Sequence, residues 1–99
     1  MSAATQRQTY ELPSEIARRG WCQHSHAMDS TWQHCGVLDH DAQRWDLLGC
    51  IIKARATGTK LPSAVTRVLV ETGTTLIHWN DRVGRTQAEV VQLLERLGL

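Results

Sequence analysis

The sequence is poor in the residues and segments that mark several common kinds of protein. It has no phenylalanine, one tyrosine and two prolines among 99 residues. No apolar run approaches the ~18 residues that a membrane helix needs. The N-terminus also lacks the apolar segment of a signal peptide. We therefore expect a cytoplasmic protein that makes no contact with a membrane.

A strong charge of one sign is also absent, because the formal net charge is +1. The arginines are spread along the chain and interleaved with acids, so no helix carries the basic stripe of a nucleic-acid-binding surface. The three cysteines are an odd number and make a poor disulfide framework. Hydrophobic residues form 41% and charged residues 21% of the chain, which is typical of one folded globular domain.

The hydrophobic pattern predicts a polar, flexible N-terminal arm at 1–11 and a single helical domain at 12–99. Leu12-Pro13-Ser14 is a helix start signal, and Gly20 fits the left-handed position that ends such a helix. Residues 22–40 show no sustained period and are interpreted as a long loop.

The strongest helical pattern spans residues 42–56, with apolar residues recurring every three or four positions. Asp39 and Asp41 are candidate N-caps for this helix, and Gly58 is its predicted end. Gly49 inside the helix indicates a close approach by a neighbouring helix.

Residues 63–72 combine a helical apolar face with several β-branched side chains. We favour a helix there, followed by one short strand at 75–79, although a hairpin stays open as an alternative. Thr86 and Glu89 have the spacing of a capping box at the start of a final helix. The predicted fold is all-α, a compact bundle of about four helices.

Several residues are predicted to have structural roles. Trp21, Trp45 and Trp79 stand where helices should meet, and we expect them in the core. Asp81 and the preceding Asn80 are predicted to form a turn before the last helix, with a polar ligand-binding pair as the alternative.

Cysteine and histidine residues cluster in the predicted loop. Cys22, His24, His34 and Cys35 are the candidate ligands of a structural zinc ion, since zinc prefers thiolate and imidazole. The spacing lacks Cys-x-x-Cys, so solvated histidines and part-buried cysteines are the competing interpretation. No nucleophile motif surrounds either cysteine, which argues against a thiol-dependent enzyme. We expect no catalytic residue and no cofactor, with zinc as the alternative.

Three short motifs together resemble one known family. They are Gly20-Trp21, the run Arg44-Trp45-Asp46-Leu47-Leu48-Gly49, and Trp79-Asn80-Asp81 followed by Arg85-Thr86-Gln87-Ala88-Glu89-Val90-Val91. The family consists of small uncharacterised proteins of actinobacteria, other bacteria and phages, and the resemblance covers roughly residues 12–97. It implies a compact helical domain in a bacterial cell, and it implies no activity, cofactor or catalytic residue.

The absence of a catalytic constellation and the tryptophan in the polar loop favour a protein–protein interaction module. We expect a phage or mobile-element accessory protein that inhibits a host or defence protein by binding its surface. Trp32 is either an exposed anchor for the partner or a plug that folds back. The predicted contact residues are Trp32, His34, Asp29 and His26. The alternatives are a zinc-stabilised binding domain, a small thiol-dependent enzyme and a nucleic-acid-binding domain.

Overall fold

A computed structural model describes residues 11–55 and 61–99. In these ranges the chain forms five helices and one small antiparallel sheet. The helices are α1 (Pro13–Arg19), α2 (Leu47–Arg55), α3 (Leu61–Thr72), α4 (Leu76–Asn80) and α5 (Gln87–Arg96), and the strands are β1 (Ala27–Met28) and β2 (Arg44–Trp45). The prediction of a helix-rich domain is confirmed, whereas a purely α-helical bundle of four helices is not what the chain forms.

Helix α1 packs against α5 and α2, and α2 also contacts α3 and α4. The core lies between these helices and is built mainly from aliphatic side chains. Its largest fully buried hydrophobic members include Ile16, Leu47, Ile51, Val68, Val90, Leu93 and Leu94. No helix in the described ranges has both the length and the apolar character needed to cross a bilayer.

The first helix begins where predicted, with Glu15 accepting a hydrogen bond from the Leu12 amide at 2.7 Å. The predicted left-handed conformation of Gly20 is wrong, because its φ is 179°, which is extended backbone. Glycine is needed here for another reason: a Cβ atom would collide with the Gln43 carbonyl oxygen. The predicted arm at 1–11 lies outside the described residues except for Glu11, which accepts a hydrogen bond from Arg19 at 2.9 Å.

The second helix begins at Leu47, five residues later than predicted, because residues 44–45 are paired as a strand. Its first turn is capped by Asp46, whose Oδ1 accepts from the Gly49 amide at 2.6 Å. The prediction that Asp39 and Asp41 cap it is therefore wrong. The predicted end at Gly58 lies outside the described residues.

The segment after α3 is helical rather than extended. Thr75 Oγ1 accepts from the His78 amide at 3.1 Å and starts α4. The predicted strand at 75–79 and the alternative hairpin are both wrong, because a local cap satisfies this backbone without a partner strand. The capping box of α5 is confirmed, with Thr86 Oγ1 3.2 Å from the Glu89 amide and Glu89 Oε1 3.0 Å from the Thr86 amide.

Candidate functional site

The predicted loop at 22–40 is held in place by Asn80, which is fully buried at the end of α4. Its Oδ1 accepts hydrogen bonds from Trp21 Nε1 at 2.7 Å and from the Leu47 amide at 2.9 Å. Its Nδ2 donates to the Cys22 carbonyl at 3.1 Å. One side chain therefore joins the start of the loop to the start of α2.

Asp81 continues this attachment along the loop. Its Oδ1 accepts from the His24 amide at 3.0 Å and from Asn80 Nδ2 at 2.9 Å. From the loop side, Gln23 Nε2 donates to the carbonyls of Asn80 and Arg82, each at 3.0 Å. The Asn-Asp pair is thus more than the predicted local turn, because its partners on the loop are 57–59 residues away in sequence.

Asp46 fixes the far end of the same loop segment. Its Oδ2 lies 2.9 Å from Nδ1 of His26, and its amide donates to the His26 carbonyl at 3.2 Å. Burial raises the pKa of the Asp46 carboxyl, although the Gly49 amide and the His26 ring both favour its charged form. Gly49 has no room for a Cβ because the His26 carbonyl oxygen lies against it. The predicted close approach at Gly49 therefore exists, but a loop backbone makes it and not a helix.

These attachments order a tight hairpin at residues 28–34, called here the tryptophan hairpin. Met28 pairs with His34, and the Asp29 amide donates to the Gln33 carbonyl at 2.9 Å. The Asp29 carboxylate accepts from the Thr31 amide at 2.8 Å, the Thr31 hydroxyl at 2.6 Å and the Gln33 amide at 3.1 Å. The Thr31 hydroxyl and the Gln33 amide lower the pKa of the Asp29 carboxyl.

Trp32 stands exposed at the end of this hairpin, with 59% of its surface accessible. The Arg44 guanidinium lies 3.6 Å from the centroid of its ring and also donates to the Asp29 carbonyl at 2.8 Å. Trp32 is therefore not the buried plug of the second interpretation, and its role as an anchor for a partner stays a prediction. The cation–π contact is typically worth about 0.5–1 kcal/mol at an exposed site.

Two non-glycine residues in the described ranges have a left-handed backbone, and both belong to this region. They are His24, with φ of 65°, and Trp32, with φ of 66°. Such conformations cost roughly 1–3 kcal/mol each and persist where the surroundings enforce them, which is often at functional sites. The Asp81 bond to the His24 amide and the hairpin bonds around Trp32 are what enforce them here.

A depression of about 380 Å³ lies beside the hairpin and is called here the histidine pocket. It is lined by His24, Ser25, His26, His34, Asp46, Ile77 and Asp81. Of the four predicted contact residues, His26 and His34 line this pocket, while Asp29 and Trp32 belong to the hairpin.

In the described ranges, no three of the predicted zinc ligands Cys22, His24, His34 and Cys35 place their ligand atoms within 4.8 Å of one another. Cys22 is 3% exposed and its thiol lies 3.5 Å from the Ser25 carbonyl, to which it donates. Burial raises the pKa of Cys22 to about 12 and also raises that of Cys35. A thiol that stays protonated is a poor nucleophile.

The predicted core tryptophans are placed as expected, although to different depths. Trp45 is buried and its Nε1 donates to the Val37 carbonyl at 3.1 Å. Trp21 and Trp79 are partly buried against the core, and Arg85 stacks on Trp79 at 3.6 Å. The sequence analysis did not foresee that Asp46 contacts His26 or that Arg44 stacks on Trp32. The only signal for these two residues was their place in the motif at residues 44–49.

The three motifs that carry the family resemblance are thus joined in space by Asn80, Asp81 and Asp46. No curated protein and no solved structure matches the chain. A protein family described as a family of unknown function, DUF6197, matches residues 14–98. The chain therefore belongs to this family.

Proposed function

We propose that this domain is a protein-binding module whose contact surface is the tryptophan hairpin together with the adjacent histidine pocket. The observation that carries the proposal is Trp32, exposed and held in a left-handed conformation on an ordered hairpin. Burial of such a residue contributes little to folding, since 59% of its surface stays in water. A partner that covers the ring would gain the hydrophobic free energy of burying it.

The composition of the surface supports the same function. Tryptophan and arginine are enriched among the residues that dominate binding energy at protein interfaces, and here Trp32 and Arg44 are stacked on each other. The hydrogen bonds to Asp29 fix the hairpin before any partner arrives. Prior ordering of this kind lowers the entropic cost of association.

The mode of action follows as a finer part of the proposal. A small domain with an exposed anchor acts by covering a surface of its partner. Covering a surface that the partner needs for its own function is one way to inhibit that partner. We propose an accessory protein that inhibits a host or defence protein in the bacterial cytoplasm. The resemblance to proteins of bacteria and phages supports the bacterial setting, and the exposed anchor alone supports the inhibition.

The test is a comparison of partner capture by four versions of the full chain: wild type, Trp32→Ala, Arg44→Ala and Val83→Ala. Val83 is a matched control because it is apolar, 96% exposed and in the turn that follows α4. Baits are incubated with lysate of the cell that carries the gene, and a protein retained by wild type and Val83→Ala is identified and titrated. We expect Trp32→Ala to lose at least about 2 kcal/mol of binding, about thirtyfold in Kd.

Unfolding curves of each variant show that a loss of binding is not a loss of fold, since truncation of an exposed ring should leave stability nearly unchanged. The proposal is wrong if wild type retains no specific partner. It is also wrong if Trp32→Ala binds that partner as tightly as Val83→Ala does.

A further inference from the structure

The histidine pocket brings together side chains whose chemistry goes beyond a passive contact surface. Three of the five histidines of the chain line it, with two carboxylates, Asp46 and Asp81, in the same wall. Imidazole nitrogen is the ligand that Zn²⁺, Ni²⁺ and Cu²⁺ share in proteins, whereas Mg²⁺ and Ca²⁺ prefer oxygen. Three imidazoles around one depression form a donor set for such an ion.

His26 already has a carboxylate against one of its ring nitrogens. Its Nδ1 lies 2.9 Å from the Asp46 carboxylate. This contact occupies Nδ1, so Nε2 is the ring nitrogen left to bind a metal. Asp46 is itself held by the Gly49 amide, so the ring has a fixed support. A carboxylate behind the distal nitrogen is the common arrangement for histidines that ligate metals.

His24 has a weaker version of the same arrangement. Its Nδ1 lies 3.8 Å from Asp81 Oδ2, and its backbone is fixed by the bond from its amide to Asp81 Oδ1. His34 is exposed and lines the pocket from the end of the tryptophan hairpin that pairs with Met28. The Met28–His34 pairing fixes the backbone of that histidine relative to β1.

We propose that His24, His26 and His34 bind one divalent transition-metal ion, Zn²⁺ in the first instance, in the histidine pocket. Asp46 acts as a positioning residue that orients His26, and water completes the tetrahedron. The cysteines take no part, which changes the ligand set expected from the sequence by replacing two thiols with His26. The site is independent of the proposed partner, because all three ligands come from this chain.

In the described ranges the ring nitrogens of His24, His26 and His34 do not all lie within 4.8 Å of one another. Binding therefore requires the exposed rings of His24 and His34 to turn towards His26. Within the described ranges, three potential ligand atoms already lie within 4.8 Å of one another at Asp39, His40 and Asp41. All three residues of that cluster are exposed, and no buried carboxylate in the described part of the chain supports the His40 ring as Asp46 supports His26. The cluster therefore supplies the control site rather than the proposed one.

The experiment titrates untagged, metal-stripped full-length protein with Zn²⁺ alone by calorimetry, in parallel with Mg²⁺. We expect saturable binding of one Zn²⁺ per chain and no comparable binding of Mg²⁺. His26→Gln, His24→Gln and His34→Gln should each weaken Zn²⁺ binding by at least about tenfold, and Asp46→Asn by about ten- to a hundredfold. His40→Gln should change the Kd by less than twofold.

Side-chain resonances of the histidines give a readout that does not depend on folded variants. Zn²⁺ should shift the ring signals of His24, His26 and His34 and leave those of His40 and His78 in place. The proposal is overturned if Zn²⁺ fails to bind, if His40→Gln abolishes binding, or if the shifted signals are those of His40. Capture of the protein partner is measured with metal chelated, so failure of one proposal is distinguishable from failure of the other.

Discussion

Replacing Asn80 with alanine tests how the three motifs hold the loop together. The change removes the partner of two buried backbone groups, the Leu47 amide and the Cys22 carbonyl. Each buried polar group left without a partner costs about 1–3 kcal/mol. The indole N–H of Trp21 is only part-buried, so water can replace its lost partner. The expected loss of unfolding free energy is therefore about 2–6 kcal/mol.

A loss of this size is a large part of the about 5–15 kcal/mol that stabilises a domain. Its lower limit corresponds to a fall in Tm of about 10 °C for a chain of this length. Urea unfolding followed by tryptophan fluorescence and circular dichroism measures the free energy, and a thermal scan measures Tm. Gln92→Ala, an exposed change on α5, is the control and should stay within about 0.5 kcal/mol of wild type.

Asn80→Asp separates hydrogen bonding from packing, because aspartate has nearly the shape of asparagine. It keeps the acceptor for the Leu47 amide and replaces the donor to the Cys22 carbonyl by an oxygen, next to the Asp81 carboxylate. We expect a clear loss of stability, whereas an account based on side-chain volume expects almost none. If Asn80→Ala unfolds within about 1 kcal/mol of wild type, the reasoning about unpaired buried groups is refuted.

Four further predictions concern single features of the fold. Gly49→Ala should destabilise the domain by about 1–3 kcal/mol in urea unfolding despite the better helix propensity of alanine, because its Cβ meets the His26 carbonyl; a gain in stability would show that this contact is not tight. Thr86→Ala should cost about 1 kcal/mol through loss of the α5 cap, and Thr86→Ser should retain most of it; equal unfolding midpoints for both would contradict the capping role. Burial raises the pKa of Cys22 to about 12 and that of Cys50 well above its usual range. A thiol reagent at neutral pH should therefore modify both cysteines only as fast as the protein unfolds. Rapid labelling of Cys22 in the folded protein would count against its burial. Hydrogen bonds lower the folded pKa of Asp29 below its ordinary value of 3.8, so the stability that Asp29 gives the hairpin is complete above that value and is lost as the pH falls through the folded pKa. The amide signals of Thr31 and Gln33 should therefore move in one step below pH 3.8. The same step in Asp29→Asn would exclude Asp29 as its cause.

The helices that the sequence predicted well are those whose signals are local. The capping box of Thr86 and Glu89 and the Pro13 start each involve residues within one helical turn. Such signals act before any tertiary contact forms, so they are visible in the sequence alone. The strand predicted at 75–79 failed because Thr75 caps a short helix there, and the prediction did not consider Thr75 as a cap.

The loop and the candidate site depended on long-range partners and were therefore hidden. The pattern at residues 42–46 continues the apolar period of α2, but pairing with β1 draws Arg44 and Trp45 into a strand. The bonds from Asn80 to Trp21 and Cys22 join parts of the chain that no local rule connects. The sequence did single out Trp32, His26, His34 and Asp29, because an aromatic ring and imidazoles in a polar segment are unusual in themselves.

Backbone order in the tryptophan hairpin tests the central claim most directly, since both proposals need residues 28–34 to be held before anything binds. Nitrogen-15 relaxation of the free protein gives an order parameter for each amide. We predict values for Asp29 to Gln33 equal to those of α5, near the ~0.85 of rigid backbone. Values below about 0.6 in the hairpin, with α5 rigid, would show a flexible loop and contradict the account.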